Sequence, residues 1–342
     1  MVAPDVGVLN RTVLARQSLL ARAPVALPSA LERIGGIQAQ YAPSMYVGLW
    51  SRVEGFERSQ LDAALDSRSV VQGTLMRATI HLVSAADYWP LAIATRQARR
   101  TWWLRSERGR GITAGEMEAT AARAERLLAD GPAEHAALEG AVGRTRMEGL
   151  HQFLDIVRVP PSGTWARRRA NRYAAAVHWI GPEPSLGVED AIDHAVRRYL
   201  QAFGPAAVAD VARWAGLNVR PVRAACERLG VTGLDVRGGV IDLPEGRLTD
   251  ATTTAPVRFL PTWDATLLTH IRRAGVVRED DRARIFTSAN PQSLATFLVD
   301  GVVAGAWSFD GERIVVDPFR PLAPAARRAV AGEAARLAEL HR

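Results

Sequence analysis

A block of thirteen residues occurs twice in this chain, and that repeat limits the fold more than any other feature of the sequence. Gly131-Pro-Ala-Glu-His-Ala-Ala-Leu-Glu-Gly-Ala-Val-Gly143 aligns without gaps on Gly204-Pro-Ala-Ala-Val-Ala-Asp-Val-Ala-Arg-Trp-Ala-Gly216. Gly-Pro opens each copy, Leu138 matches Val211 and Val142 matches Ala215. The closing glycines coincide where a helix-turn-helix puts its turn. A helix is predicted before each copy, over Met117 to Leu128 and over Ala191 to Ala202. After each copy the pattern predicts a second helix and then strands. The strands are clearest in the stretch from Leu234 to Leu243, which should turn at Gly238-Gly239. Helices followed by a strand pair are the order of a winged helix, so the two copies read as two such units.

The residues before the repeat predict a third unit. A helix should run from Asn10, as N-cap, through Val13, Leu14, Leu19 and Leu20 and stop before Pro24. A second begins at Pro28 and Ser29, with Leu31, Ile34 and Ile37 at helical spacing, and a third covers Ser59 to Ser67. Val70, Val71 and the stretch Thr74 to Val83 read as paired strands. From Val257 onward Arg258 to Pro261, Ala283 to Ser288, Val299 to Phe309 and Arg313 to Val316 read as strands, with Gly311 in a turn. A helix rich in alanine and arginine closes the chain from Pro324 to Arg342. The expected class is α+β, divided into winged helix 1 over residues 1–112, winged helix 2 over 113–186, winged helix 3 over 187–250 and a β region with a terminal helix over 251–342.

At 342 residues the chain can bury two or three separate cores. Its 43 basic residues against 36 acidic ones include no lysine, so every cation among them is an arginine. Codon bias explains most of that preference, yet its chemical consequence stands: no ε-amine is present to form a Schiff base. A net charge of +7 and a pI near 10.5 suit a polyanionic partner. The single cysteine, Cys226, excludes an internal disulfide or a cysteine-rich zinc site and reads as a buried helical thiol. No apolar run is long enough to span a membrane and no leader is evident, so a reducing, cytoplasmic setting is expected. No metal-ligand spacing or phosphate-cradling glycine loop occurs, and no cofactor is expected.

Gln38, Ala39 and Gln40 lie between Gly35-Gly36 and Pro43, where a helix should break. Side chains two apart diverge on a helix but share a side of extended chain, so both amides can reach one ligand only if the helix ends near Ile37. Two glutamines in such a place are ordinarily surface or capping residues. Their neighbours in the sequence argue otherwise.

Four blocks, Gly36-Ile-Gln-Ala-Gln-Tyr-Ala-Pro43, Arg77-Ala-Thr-Ile-His-Leu-Val83, Pro161-Ser-Gly-Thr-Trp-Ala-Arg-Arg168 and Arg258-Phe-Leu-Pro-Thr-Trp-Asp-Ala-Thr-Leu-Leu268, together resemble the AlkZ/YcaQ family of bacterial DNA glycosylases. They come in that family's order and span nearly the whole chain. The resemblance implies three winged helices in a C-shaped arrangement with a β-barrel-like element. It also implies excision of alkylated purines from duplex DNA, including the unhooking of interstrand crosslinks. The family's catalytic motif is Gln, aliphatic, Gln in one branch and Gln, aliphatic, Asp in the other. Gln38, Ala39 and Gln40 put this chain in the first, AlkZ-like, branch, with Gln38 and Gln40 as the catalytic pair.

Glutamine is no general base, but its carbonyl can hold a water and turn a dipole toward developing positive charge. That suits a purine alkylated at N7, which is already cationic and leaves without being protonated. A monofunctional enzyme is expected, working as a monomer and leaving an abasic site, with self-resistance to a DNA-alkylating natural product as one setting. His81 and Asp264 are candidates for supporting roles, although a strand histidine is ordinarily structural and Asp264 can cap the helix that follows it. Arg77, Ser162, Thr164, Trp165, Arg167, Arg168, Arg169 and Arg172 are candidates for gripping the DNA backbone, the arginine run being otherwise a solvated face. Of Trp102 and Trp103, at least one should pack in the core, the other being free to stack on a base. Two readings compete with the enzyme: a winged-helix transcription regulator that does no chemistry, and a catalytically weak relative that only binds damaged DNA.

Overall fold

Both copies of the repeat fold alike. The structure, a computed structural model describing residues 5–168, 171–233, 239–268, 275–286 and 293–342, puts them in the helices His135–Val142 and Val208–Ala215. Each helix ends one residue before its closing glycine. Gly143 and Gly216 have φ of 85° and 74°, where a side chain would be strained, and each passes the chain to a second helix, Arg144–Phe153 or Val219–Arg228. In both copies the third residue of the block pairs with a returning segment, Ala133 with Tyr173 and Ala206 with Ile241. Longer helices, Ala114–Leu128 and Val188–Phe203, precede them as anticipated. Gly238, half of the anticipated turn, lies outside the described residues.

The N-terminal region has the same order of elements, in a register the sequence did not predict. Helix Leu27–Ile34 is followed by a two-residue strand, Ile37–Gln38, and then by a helix, Ala42–Trp50, that was not anticipated. Helix Arg58–Asp66 and the strands Val70–Thr74 and Ile80–Ser84 complete the set. The helix expected from Asn10 runs instead over Val6–Arg16, because Asp5 caps it by accepting from the Gly7 N–H. Asn10 lies buried within that helix and donates to the Gly301 carbonyl. Leu9, Val13 and Leu14 pack against Leu260, Leu298 and Val303, which joins this helix to the C-terminal region.

Two sheets organise the described residues. The larger is antiparallel and runs Ile37–Gln38, Ile80–Ser84, Val70–Thr74, Ile156–Arg158, Arg172–Ala175, Ala133–Glu134. It is therefore continuous across the first two regions, joined where Gln72 opposes Arg158 and Gly73 opposes Val157. The smaller runs Ile314–Pro318, Val302–Phe309, Thr296–Val299, Arg258–Leu260. Among the described residues it is open, ending at Ile314–Pro318 and Arg258–Leu260, which corrects the expected barrel-like element. Ala283 to Ile285 also departs from expectation: these residues lie in the helical turn Arg282–Ile285, which buries Ile285 alone, while Thr287 and Ser288 lie outside the described residues.

The 21-residue helix Ala85–Arg105 ties the molecule together. Tyr88 lies over Gly73, where an added Cβ would come within 2.5 Å of its ring, so the glycine lets the helix approach the sheet. Ala92 and Ile93 share one core with Ala195, Tyr199 and Cys226. The closing helix, Pro324–His341, packs Val330 and Leu337 against Phe259 and Phe297 of the smaller sheet. Among the described residues no helix is long and apolar enough to cross a membrane.

Candidate active site

Gly35 and Gly36, with φ of 74° and 78°, end the Leu27–Ile34 helix before the amides are reached. The chain then extends and pairs with the neighbouring strand, Ile37 opposite Leu82 and Gln38 opposite His81. The condition set by the sequence is met: on extended chain the two amides project together, and Gln38 Nε2 donates to Gln40 Oε1 at 2.5 Å. Gln38 is buried and Gln40 exposed, so the pair runs from the interior to the surface.

Arg77 fixes the polarity of this pair. Its Nη2 donates to Gln38 Oε1 at 3.2 Å while its Nη1 donates to the Trp214 carbonyl at 2.7 Å. A guanidinium only donates, so the atom of Gln38 that faces it must be oxygen. The Gln38 nitrogen is thereby turned toward Gln40, whose own facing atom must again be oxygen. Arg77 reaches this position from a strained turn, in which it and Ala78 have φ of 54° and 56°. Trp214 lies in the last turn of the repeated block Gly204 to Gly216, and an added Cβ on Gly216 would meet the Arg77 backbone nitrogen at 2.9 Å. The repeat thus supports the site directly. Burial, more than any other influence, lowers the Arg77 pKa to about 10.

His81 stands across the strand from Gln38 on the same side of the sheet. Its Nδ1 lies 3.0 Å from the Thr79 carbonyl, which can only accept, so Nδ1 carries the proton. Burial first, and then the charge of Arg77, lower its pKa to about 3. The ring is therefore neutral, and Nε2 is an acceptor with no protein partner among the described residues.

Two further residues hold the motif, and the sequence reading missed both. Arg158 is buried and its Nη1 donates to the Ala39 carbonyl at 3.3 Å, between the two amides. Gln72, fully buried opposite it, donates to the Gly163 carbonyl. Gly163 has φ of 70°, and a Cβ there would come within 2.6 Å of Arg158 Cδ and 2.9 Å of Gln72 Oε1. The loop carrying Ser162 to Trp165 is thus pinned against the strand seam. The available signal was Arg158 itself, a charge inside the apolar run Ile156 to Val159.

The remaining candidates divide. Ser162 and Thr164 are buried and point inward, Ser162 Oγ donating to Asn171 Oδ1 and Thr164 Oγ1 to the Pro161 carbonyl. In this structure their hydroxyls build the loop in place of reaching outward to a phosphate. Asp264 is buried, pairs with Arg52 at 2.8 Å and accepts from the Thr266 N–H, so it anchors the core and joins no hydrogen bond of the amide pair. Trp165 is half-buried against Tyr46, and Arg167 and Arg168 beside it are exposed. Arg168 Nη1 donates to the Tyr41 hydroxyl. Arg172 is half-buried at the start of its strand, and Arg169 lies outside the described residues. Trp103 packs in the core against Phe153, while Trp102 is exposed beside Arg77 and Gly216 in a surface cleft. Cys226 is buried in its helix, and desolvation raises its pKa to about 11. Among the described residues no group of three or more His, Cys, Asp or Glu could hold a metal ion.

This arrangement is similar to known proteins along nearly its whole length. The model of the AlkZ-like DNA glycosylase family matches residues 31–340. A curated relative, the interstrand DNA cross-link repair glycosylase of Streptomyces sahachiroi, is 23% identical over 94% of this chain and 93% of its own. The solved structure of the Streptomyces sahachiroi DNA glycosylase AlkZ superimposes with a TM-score of 0.82 at 20% identity, covering 99% of this chain and 97% of that one.

Proposed function

Since the chain belongs to the AlkZ-like DNA glycosylase family, we propose that it hydrolyses the N-glycosidic bond of cationic N7-alkylated purines in duplex DNA, with Gln38 and Gln40 as its catalytic pair. The observation that carries this reading is the hydrogen-bonded relay from Arg77 through Gln38 to Gln40, which fixes the direction of both amides. Gln40 Oε1 keeps a lone pair free of Gln38, and that oxygen accepts from the attacking water and offers its dipole to the sugar as positive charge develops there. An N7-alkylated purine is a leaving group that already carries its charge, so no acid is needed. Neutral His81 adds an acceptor beside Gln38 and is too weak a base to take the proton of the added water, which passes to bulk solvent beside exposed Gln40.

Three winged-helix units over 1–112, 113–186 and 187–250, arranged as a C around the duplex and followed by the 251–342 region, would present exposed Arg167, Arg168 and Trp102 to DNA. Trp165 and Arg172, both half-buried, would lie at the edge of that surface, and Arg169 extends the same run. The curated relative is named for interstrand cross-link repair. We extend that activity to this chain, with self-resistance to a DNA-alkylating natural product as its setting. An adduct tied to both strands cannot rotate fully into a closed pocket, which favours attack in an open groove. The regulator reading demands nothing of Gln38 and Gln40.

The test is single-turnover release of 7-methylguanine from a duplex. Gln38→Ala and Gln40→Ala should each abolish or severely slow release while leaving duplex binding intact. Unchanged release in both variants would overturn the assignment.

A further inference from the structure

Beginning one residue after Gln40 is a cavity of about 230 Å³ that the amide chemistry does not use. Tyr41 forms part of its wall, and its other aromatic faces come from Trp165, Trp307, Phe309 and His341. Three of the four blocks singled out in the sequence converge here: Tyr41 and Pro43 from the first, Trp165 and Arg168 from the third, Pro261 and Thr262 from the fourth. We propose that this cavity receives a planar, uncharged aromatic group carried on the N7 substituent of the lesion, a specificity site separate from the amide pair. The proposal rests on the glycosylase reading and goes beyond it, because simple N7-methyl lesions have nothing to put there.

The walls fit that occupant. His341 stacks near Phe309 with ring centres 4.3 Å apart and meets the edge of Trp165 at 5.0 Å. Ring edges and faces of this kind hold a further aromatic ring in offset or edge-to-face geometry. An engineered apolar cavity of about 150 Å³ holds benzene, so about 230 Å³ admits one or two fused rings and no more.

The polar atoms define the chemistry further. His341 Nε2 is buried without a hydrogen-bond partner among the described residues, and burial beside Arg58 and Arg168 lowers the ring's pKa to about 4. A neutral imidazole can satisfy that nitrogen with a ligand hydroxyl or amide, and it does not call for an anion. Thr262 and Ser308 add hydroxyls at the wall. Arg168, bonded to the Tyr41 hydroxyl, sits at the edge where the DNA backbone would pass.

The test compares two duplexes, one carrying 7-methylguanine and the other N7-(quinolinylmethyl)guanine, with the wild type and two variants. Ser308→Trp and Ser308→Phe fill the cavity to different extents from an exposed strand position. Wild type should release the quinoline adduct at a KM at least tenfold below that for 7-methylguanine. Both variants should erase that difference while leaving 7-methylguanine release within about twofold. Equal KM values for the two lesions in wild type, or variants that leave the preference intact, would overturn the cavity's role. Failure of wild type to release either base would overturn the glycosylase reading itself.

Discussion

Gln40 is a solvent-exposed side chain asked to hold one orientation, and ordering an exposed glutamine costs up to about 1.5–2 kcal/mol of rotamer freedom. The bond from Gln38 offsets that cost only while Gln38 is itself held by Arg77. A hydrogen bond from a charged group is worth about 1.5–3 kcal/mol, so Arg77→Met should slow single-turnover excision by about 10- to 100-fold. Duplex affinity should stay within about twofold, because Arg77 spends its guanidinium on Gln38 and the Trp214 carbonyl. An equal loss in Kd and in rate would return Arg77 to the role of a phosphate contact. His81 gives a second residue-scale prediction. Its folded pKa of about 3 lies below the unfolded value near 6.5, so between these limits the unfolded chain binds a proton that the folded chain refuses. Stability is therefore complete above pH 6.5 and falls as the pH drops, by about 1.4 kcal/mol per unit for this ring alone. His151, held down to about 4 chiefly by burial, acts in the same direction. In denaturant titrations the stability lost by wild type between pH 7.5 and 5.0 should exceed that lost by His81→Gln by about 2 kcal/mol. Identical losses would show that His81 does not titrate on unfolding.

At the scale of elements the two repeated turns allow a controlled comparison. Gly143 and Gly216 both have positive φ, so Gly143→Ala and Gly216→Ala should each cost about 1–3 kcal/mol of stability. An added Cβ at Gly143 meets nothing within 4 Å, whereas at Gly216 it meets the Arg77 backbone. Only Gly216→Ala should therefore also slow excision, measured at a temperature where both variants are fully folded; equal rates in the two would remove the repeat from the site. The same elements show what could be read beforehand. The repeat was legible because its apolar residues alternate with polar ones at helical spacing and both copies end on a glycine that the turn requires. A break ahead of the amides was legible from the glycines, but it was expected near Ile37, and the helix ends instead at Ile34, with Ile37 on the strand. Helix Ala42–Trp50 was not, since all but its last residue are buried and no polar face marks the period. Missing it shifted the first unit by one helix and enlisted Val6–Arg16, whose apolar stripe faces the distant Leu260 and Val303. Strand Ile37–Gln38 is too short to carry a pattern. Arg158 and Gln72 belong to the site through cross-strand pairing, which no local periodicity encodes.

At the scale of the molecule the absence of lysine becomes a statement about the reaction. A glycosylase that also nicks its product strand attacks the sugar carbon with an amine, forming a Schiff base that then drives elimination of the phosphate. The 342 residues contain no ε-amine, and arginine cannot replace it because its guanidinium stays protonated. The α-amine of the chain terminus is then the one primary amine left. The amide pair, on the proposed reading, places water: an oxygen acceptor at the surface, backed by a buried donor and a guanidinium that fixes both. Water and amine lead to different products from the same oxocarbenium-like state, and the proposed reading leaves this chain only the first route. Incubation with an alkylated duplex should thus give free base and an intact strand containing an abasic site, which breaks only when alkali is added. Borohydride present during turnover should trap no covalent protein–DNA adduct. A trapped adduct that persists after the terminal amine is blocked, or strand breaks that copurify with the protein through successive columns, would mean that water is not its nucleophile.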